Sequence, residues 1–130
     1  RKLVDAERII NHLSRMIGID DALDYEHGGY SKGMKQKISL LSTIMHAPQN
    51  LLLDEPVYGL DPLASWTIKD FIKKRQGTTV LATHSTQLVE QVADNVYFLM
   101  HGSVILYDSV PNLMNQHGSI ENAYFYYKER

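Results

Sequence analysis

The chain has 130 residues, of which 44% are hydrophobic, and its 13 basic and 15 acidic residues give a formal net charge of -2. This composition supplies the core of about one domain and excludes a largely disordered chain. The charge balance argues against bulk attraction to nucleic acid, and the absence of cysteine excludes disulfides and thiol chemistry.

The first part of the chain is predicted to be helical. Apolar spacing predicts a helix over residues 3–17, with Gly18 as its C-cap. A second helix is predicted over residues 34–45, and Pro48 prevents it from continuing. The polar, glycine-bearing stretch 19–31 between them is expected to be a short helix or a loop.

Strands and helices then alternate. Residues 51–53 are predicted to be a short buried strand, residues 77–84 a second apolar strand, and residues 65–74 between them a helix. A further helix over residues 86–93 is expected to begin at Ser85, a good N-cap residue.

The last part of the chain carries a hairpin signal. Two strands, residues 95–100 and 103–108, flank His101 and Gly102, and an aromatic-rich helix is predicted over residues 119–129. The strand–helix–strand–helix order as a whole predicts an α/β fold with a mainly parallel sheet.

The most apolar run of the chain, residues 51–53, ends in two adjacent carboxylates, Asp54 and Glu55. Ligands collect beyond the carboxyl ends of strands in open parallel sheets. Because side chains alternate in direction along a strand, one acid can support Mg²⁺ while the other accepts a hydrogen bond from a water near a γ-phosphate. A strand that ends in a solvated turn would look the same, so the pair is informative only together with its neighbours.

Three further polar clusters accompany the acid pair. Residues 30–37 read YSKGMKQK and open a helix, residues 59–62 read GLDP, and Thr83 and His84 end the next strand. In this order and spacing the chain resembles the ATP-binding cassette (ABC) ATPases over roughly residues 1–108. The resemblance implies the C-terminal part of a P-loop NTPase cassette with ATP and Mg²⁺ as cofactors.

The YSKGMKQK segment matches the signature sequence of that family. Ser31 and Gly33 match the signature serine and a signature glycine, and a hydroxyl with free N–H groups at a helix N-terminus is a ready anion site. The resemblance implies contact with the γ-phosphate of ATP held by a second cassette, whereas the residues alone favour a simple N-cap at Ser31. Lys32 and Met34 replace the commonest glycine and glutamine, as in a variant seen in bacterial exporters of drugs, peptides and antibiotics. Lys32 either adds charge beside the phosphate or points to solvent.

The resemblance also assigns roles to four other residues. Asp54 matches the Walker B aspartate that supports Mg²⁺, and Glu55 matches the catalytic glutamate that orients water. Asp61 matches the D-loop aspartate at the contact between two cassettes, although it is also an ordinary turn former. His84 matches the switch histidine at the γ-phosphate. The other five histidines show no metal-ligand spacing and receive no role.

A phosphate-binding loop of the form G-x-x-x-x-G-K-[ST] is missing from the sequence. The nearest approach, residues 28–35, has methionine at the lysine position and does not follow a predicted strand. We therefore expect the second half of a cassette, inactive as an isolated chain, with a partial helical and signature subdomain (1–47), the C-terminal part of the ATPase core (48–108) and a tail helix (109–130).

Partners follow from the resemblance. They are a second cassette, in a homo- or heterodimer, and a transmembrane permease subunit, with the protein on the cytoplasmic face of the cell membrane. Nucleic acid is not expected. In this family the Walker A strand lies between the strand ending at His84 and the strand at 95–100, so without it an edge stays open and the isolated chain is expected to self-associate.

Two other functions stay open. A soluble ABC ATPase acting on ribosomes or DNA would favour basic insertions or long coiled-coil arms, and neither is seen here. A non-catalytic interaction module is favoured only for the isolated chain, because Glu55 and His84 are both intact. The four aromatics at 124–127 could stack on nucleic acid, but packing against a neighbouring domain is preferred because no basic cluster surrounds them.

Overall fold

The computed structural model describes residues 2–23 and 29–129, which divide into two compact units that meet in sequence between Ala82 and Thr83. Part of the predicted loop at 19–31, residues 24–28, lies outside the described residues. The first part of this predicted loop forms a short 3₁₀ turn, Asp20–Ala22. Among the described residues, no helix combines the length and apolarity that crossing a membrane would require.

The described residues of the first unit form three α-helices. They are α1 (Lys2–Met16), α2 (Lys32–Ile44) and α3 (Pro62–Lys74). Helices α2 and α3 begin two and three residues before the predicted positions, since Ser31 and Asp61 cap them with side-chain oxygens that accept backbone N–H groups. Gly18 has a φ of +64° just beyond α1, as its predicted capping position requires.

The same unit contains a two-stranded parallel sheet. Strand β1 (Asn50–Asp54) pairs with β2 (Thr78–Ala82), and α3 connects them. One face of the sheet is covered, and Leu51 there is 2% exposed. On the other face Leu52 and Val80 lie opposite each other and are 77% and 60% exposed. The parallel pair and its crossover helix confirm the α/β class.

The second unit is a hairpin packed with three helices. Its elements are α4 (Thr86–Val92), β3 (Asn95–Met100), β4 (Ser103–Ser109), α5 (Val110–His117) and α6 (Ile120–Lys128). The hairpin prediction is confirmed, because β3 and β4 pair antiparallel and both turn residues, His101 and Gly102, have positive φ. Ser85 caps α4, also as predicted.

Helix α5 was not predicted as a separate element, because residues 109–130 were assigned as one tail helix and the chain forms two helices there. Its residue Leu113 is fully buried beside Phe98 and Ile120 in the core of the second unit. The aromatics of α6 point around the helix as expected: Tyr124 and Tyr127 pack against that core, and Phe125 and Tyr126 are 50% and 42% exposed.

Candidate functional site

A shallow cavity in the first unit joins the start of α2, the end of β1 and the turn after β1. Its volume is about 140 Å³, below the roughly 300–1,000 Å³ of pockets that enclose a drug-sized ligand, so it suits a group of phosphate size. The lining residues are Lys32, Gly33, Gln36, Asp54, Glu55, Tyr58 and Gly59.

The start of α2 forms one wall. The Ser31 hydroxyl accepts the Met34 N–H at 3.2 Å, which is an N-cap bond, and Ser31 itself is exposed. A Cβ on Gly33 would lie 3.2 Å from the carbonyl oxygen of Gly59, so the helix and the turn approach closely. The first turn of a helix carries unpaired N–H groups and a partial positive charge, which favours an anion at this wall.

Lys32 places its charge over the turn that follows the acid pair. Its Nζ lies 5.3 Å from the centroid of the Tyr58 ring, within cation–π distance. Lys32 lines the cavity together with the acid pair, while the residue as a whole remains exposed.

The acid pair ends strand β1. Asp54 is exposed and lies opposite Ala82 in the sheet register. Glu55 is half-buried, and its N–H donates to the Ala82 carbonyl at 2.9 Å, so the ladder continues through it. Its φ of +44° then turns the chain, and its carbonyl accepts the Tyr58 N–H at 3.1 Å. The chain thus leaves the sheet at the carboxyl end of β1, and Glu55, in a left-handed conformation, is the residue at which it turns.

One acid, Asp54, is suited in type and position to a hard cation. Among the described residues, no group of three or more His, Asp or Glu side chains forms a metal cluster. Mg²⁺ commonly uses one or two carboxylates together with waters and phosphate oxygens, so an exposed carboxylate at this strand end fits such an ion.

Asp61 links α3 to α2. One carboxylate oxygen accepts the Ala64 N–H at 2.9 Å, and the other lies 2.6 Å from Lys37 Nζ. The Ala64 N–H and then Lys37 hold the pKa of Asp61 below its ordinary value of 3.8. The carboxylate is therefore fixed as an anion, although the side chain is 49% exposed.

The predicted site residues belong to both units of the chain. Lys32, Gly33, Asp54 and Glu55 line the cavity, and Asp61 lies two residues beyond Gly59 on the same turn. His84 belongs to the second unit, where it is exposed and immediately precedes Ser85, the N-cap of α4.

Three residues near the cavity were missed from the sequence: Gln36, Lys37 and Tyr58. For the first two a signal existed, because they lie four residues after Lys32 and Gly33 and therefore on the same helix face. Tyr58 had no local signal.

Comparison with known proteins identifies relatives over most of the chain. A family model described as ABC transporter matches residues 1–58. The ABC transporter ATP-binding protein NatA of Bacillus subtilis is 32% identical over 120 residues, which cover 90% of this chain and 49% of NatA.

Two other relatives have names that state a transported compound. A fluoroquinolones export ATP-binding protein of Mycobacterium tuberculosis is 35% identical over 75% of this chain and 33% of its own length. The bacitracin transport ATP-binding protein BcrA of Enterococcus faecalis is 39% identical over 58% of this chain and 26% of its own length. The chain thus spans half or less of each of these relatives.

The fold has a counterpart among solved structures. An ATP-binding subunit of an ABC transporter superposes with a TM-score of 0.86 and 26% identity, covering 96% of this chain and 55% of the other.

Proposed function

Because the chain belongs to the ATP-binding protein family of ABC transporters, we propose that it forms part of an ATP-hydrolysing subunit that drives export across a membrane. A relative whose name states export of fluoroquinolones supports the direction, and together with a relative named for bacitracin transport it supports the general kind of cargo. The proposal also places the chain in a complete cassette, meaning this chain together with a segment that supplies the phosphate-binding loop.

The observation that carries the proposal is the shared cavity. The first turn of α2, which attracts anions, and the acid pair, which suits a cation and a water, line the same 140 Å³ space. A γ-phosphate with its metal ion and attacking water requires that combination of charges in one small volume.

In the proposed mechanism, the start of α2 binds the terminal phosphate of ATP carried by a second cassette. Ser31 offers its hydroxyl, Gly33 offers a backbone N–H group, and Lys32 supplies a positive charge, while Met34 completes this first turn through its N-cap bond to Ser31. Asp61 acts at the contact between the two cassettes. The small volume of the cavity supports this division, because it accommodates one end of a nucleotide rather than all of it.

Glu55 is the proposed general base. It accepts a hydrogen bond from the attacking water and orients it, and His84 contacts the γ-phosphate. Asp54 would hold Mg²⁺, which when bound neutralises charge on the phosphate oxygens. Since water activation needs the carboxylate, an amide at position 55 keeps the shape of the residue and removes its basicity.

The proposed partners are a second cassette and a transmembrane permease, with the subunit on the cytoplasmic face of the cell membrane. The isolated chain is proposed to be inactive and to self-associate. The exposed Leu52 and Val80 form an uncovered apolar sheet face, and β2 is paired only with β1 among the described residues. A soluble ATPase acting on ribosomes or DNA and a non-catalytic module remain the alternatives.

The decisive experiment replaces Glu55 with Gln in the complete cassette. We expect ATP binding to be retained and steady-state phosphate release to fall by at least about 100-fold, since general-base catalysis contributes roughly 10²–10⁴-fold. Glu7→Gln is the matched control, because Glu7 is exposed on α1 and does not line the cavity.

Unimpaired hydrolysis by the Glu55→Gln variant would refute the role of Glu55. Absence of both binding and hydrolysis in the unmodified cassette would favour the non-catalytic alternative. Copurification with a polytopic membrane protein would separate the transporter from a soluble ATPase.

A further inference from the structure

Lys37 is a nearly buried cation with two defined partners. Its side chain is only 12% exposed, and a lysine so placed must have its charge compensated. The ammonium group lies 2.6 Å from the Asp61 carboxylate and donates a hydrogen bond to the Gly18 carbonyl at 3.3 Å. Lys37 therefore connects three segments: the turn after α1, helix α2 and the first residue before α3.

The hydrogen bond to the Gly18 carbonyl fixes the position of the Lys37 ammonium group. Gly18 lies in the turn that ends α1, with a φ of +64°, and its neighbours Ile17 and Ile19 are buried. A carbonyl in a turn held on both sides by core residues has little freedom to move. The Lys37 ammonium group is therefore held by the Gly18 carbonyl as well as by its carboxylate partner.

Two more contacts act on the same two segments. Gly33, one helical turn before Lys37, approaches the Gly59 carbonyl, and the Lys32 ammonium group lies over the Tyr58 ring. The turn after the acid pair thus meets α2 at Tyr58, Gly59 and Asp61. Of these contacts, only the one at Asp61 is an ion pair between a charged group of each segment.

We propose that Lys37 is a positioning residue that holds Asp61, and with it the turn after the acid pair, in register with the phosphate-binding start of α2. This inference rests on the proposed function of that cavity and adds a residue to it. Lys37 is not among the residues that line the cavity, so we expect it to act through its ion pair with Asp61. Its loss leaves every cavity residue in the sequence but loosens the turn that carries Tyr58 and Gly59.

The test is a double-mutant cycle in the complete cassette with Lys37→Met, Asp61→Asn and the double variant. We expect Lys37→Met to lower kcat about five- to tenfold, with KM for ATP changed less than twofold. The double variant is expected to be no slower than the slower single variant, because both changes remove the same interaction. Lys37→Arg keeps the charge and is expected to restore kcat to within about threefold.

Lys35→Met is the matched control, since Lys35 is exposed on the same helix. Asp61→Asn guards against a folding defect, because it removes the ion pair while leaving the Lys37 bond to Gly18 in place. Effects that multiply in the double variant, or failure of Lys37→Arg to rescue, would overturn the proposal.

A second measurement separates this proposal from the proposed function. In the complete cassette labelled with ¹³C at its aspartates, the titration of the Asp61 carboxyl group can be followed by NMR. We expect this titration to move to higher pH in the Lys37→Met variant than in the wild type, because Lys37 is one of the groups that lower the pKa of Asp61. An unchanged titration would refute the ion pair. If Glu55→Gln proves fully active, the proposed function fails, and this titration still decides whether Lys37 holds Asp61.

Discussion

Gly33→Ala is the smallest change that is expected to separate function from stability in this chain. The new Cβ would lie 3.2 Å from the Gly59 carbonyl oxygen, whereas ordinary contacts of this kind lie at 3.4–4 Å. The two segments must therefore separate by about 0.2 Å or more at the cavity wall. The φ of Gly33 is not positive, so the backbone itself accepts alanine without strain.

Two opposing terms set the effect on stability. Alanine is favoured over glycine inside a helix by up to about 1 kcal/mol, and by less in the first turn where Gly33 lies. Overpacking costs about 1–3 kcal/mol, and a contact that is too short by only a few tenths of an ångström is expected to cost an amount at the low end of this range. We therefore expect a net change within about 1 kcal/mol, or roughly 2–8 °C in Tm depending on domain size.

Activity is expected to change more than stability. The added methyl group occupies part of the 140 Å³ cavity and displaces the turn that carries Tyr58 and Gly59. Because a misplacement of 1 Å can lower a rate about 100-fold, a few tenths of an ångström together with the lost volume predict a fall in kcat of about tenfold. The assays are steady-state phosphate release and thermal unfolding of the same complete cassette.

Two other glycines calibrate the result. A Cβ on Gly77 would lie 2.1 Å from the Gln49 oxygen at a φ of +99°, so Gly77→Ala is expected to destabilise by about 2 kcal/mol or more. A Cβ on Gly29 meets no atom within 4 Å, so Gly29→Ala serves as the silent control. The reasoning fails if Gly33→Ala keeps full turnover, and equally if it unfolds as readily as Gly77→Ala.

The other predictions concern Asp61 and the open sheet face. The Ala64 N–H and then Lys37 lower the pKa of Asp61, so its ionised form stabilises the fold above about pH 3.8, and this contribution is lost as pH falls through the lower folded-state value. Between about pH 5 and pH 2 the urea midpoint should fall more steeply for wild type than for Asp61→Asn, and parallel curves would contradict this. The isolated chain is expected to self-associate, as measured by light scattering. Val80→Lys should reduce this association, whereas the control Leu63→Lys, at an exposed leucine on α3, should not change it. A chain that stays monomeric at high concentration would contradict the prediction.

Local chemistry made much of the fold predictable. Ser85 and the His101–Gly102 pair each specify a cap or a turn through their own backbone preferences, and both were predicted correctly. Helix α5 was not distinguished from the rest of the tail because it is short and carries Pro111 in its first turn. Proline at that position is compatible with a helix start, and Ser109 before it is the N-cap.

The site was predictable only in part. The acid pair could be placed because the end of a parallel strand is a fixed location, whereas the anion-binding role of the Ser31 turn was implied by the family resemblance and the residues alone favoured an N-cap. The ion pair between Lys37 and Asp61 joins residues 24 positions apart, and the Lys32–Tyr58 contact joins residues 26 apart. Such contacts depend on how α2 meets the turn after β1, which no local pattern encodes.

The conformation of Glu55 gives an independent reason to regard it as functional. Its φ of +44° is a left-handed conformation that costs an L-residue about 1–2 kcal/mol and costs glycine almost nothing. The turn also fixes Glu55 at both ends, through its N–H to Ala82 and its carbonyl to Tyr58. On stability alone, glycine would fit this position better. A carboxylate held there at an energetic cost, beside an exposed aspartate and the start of α2, supports the role proposed for Glu55.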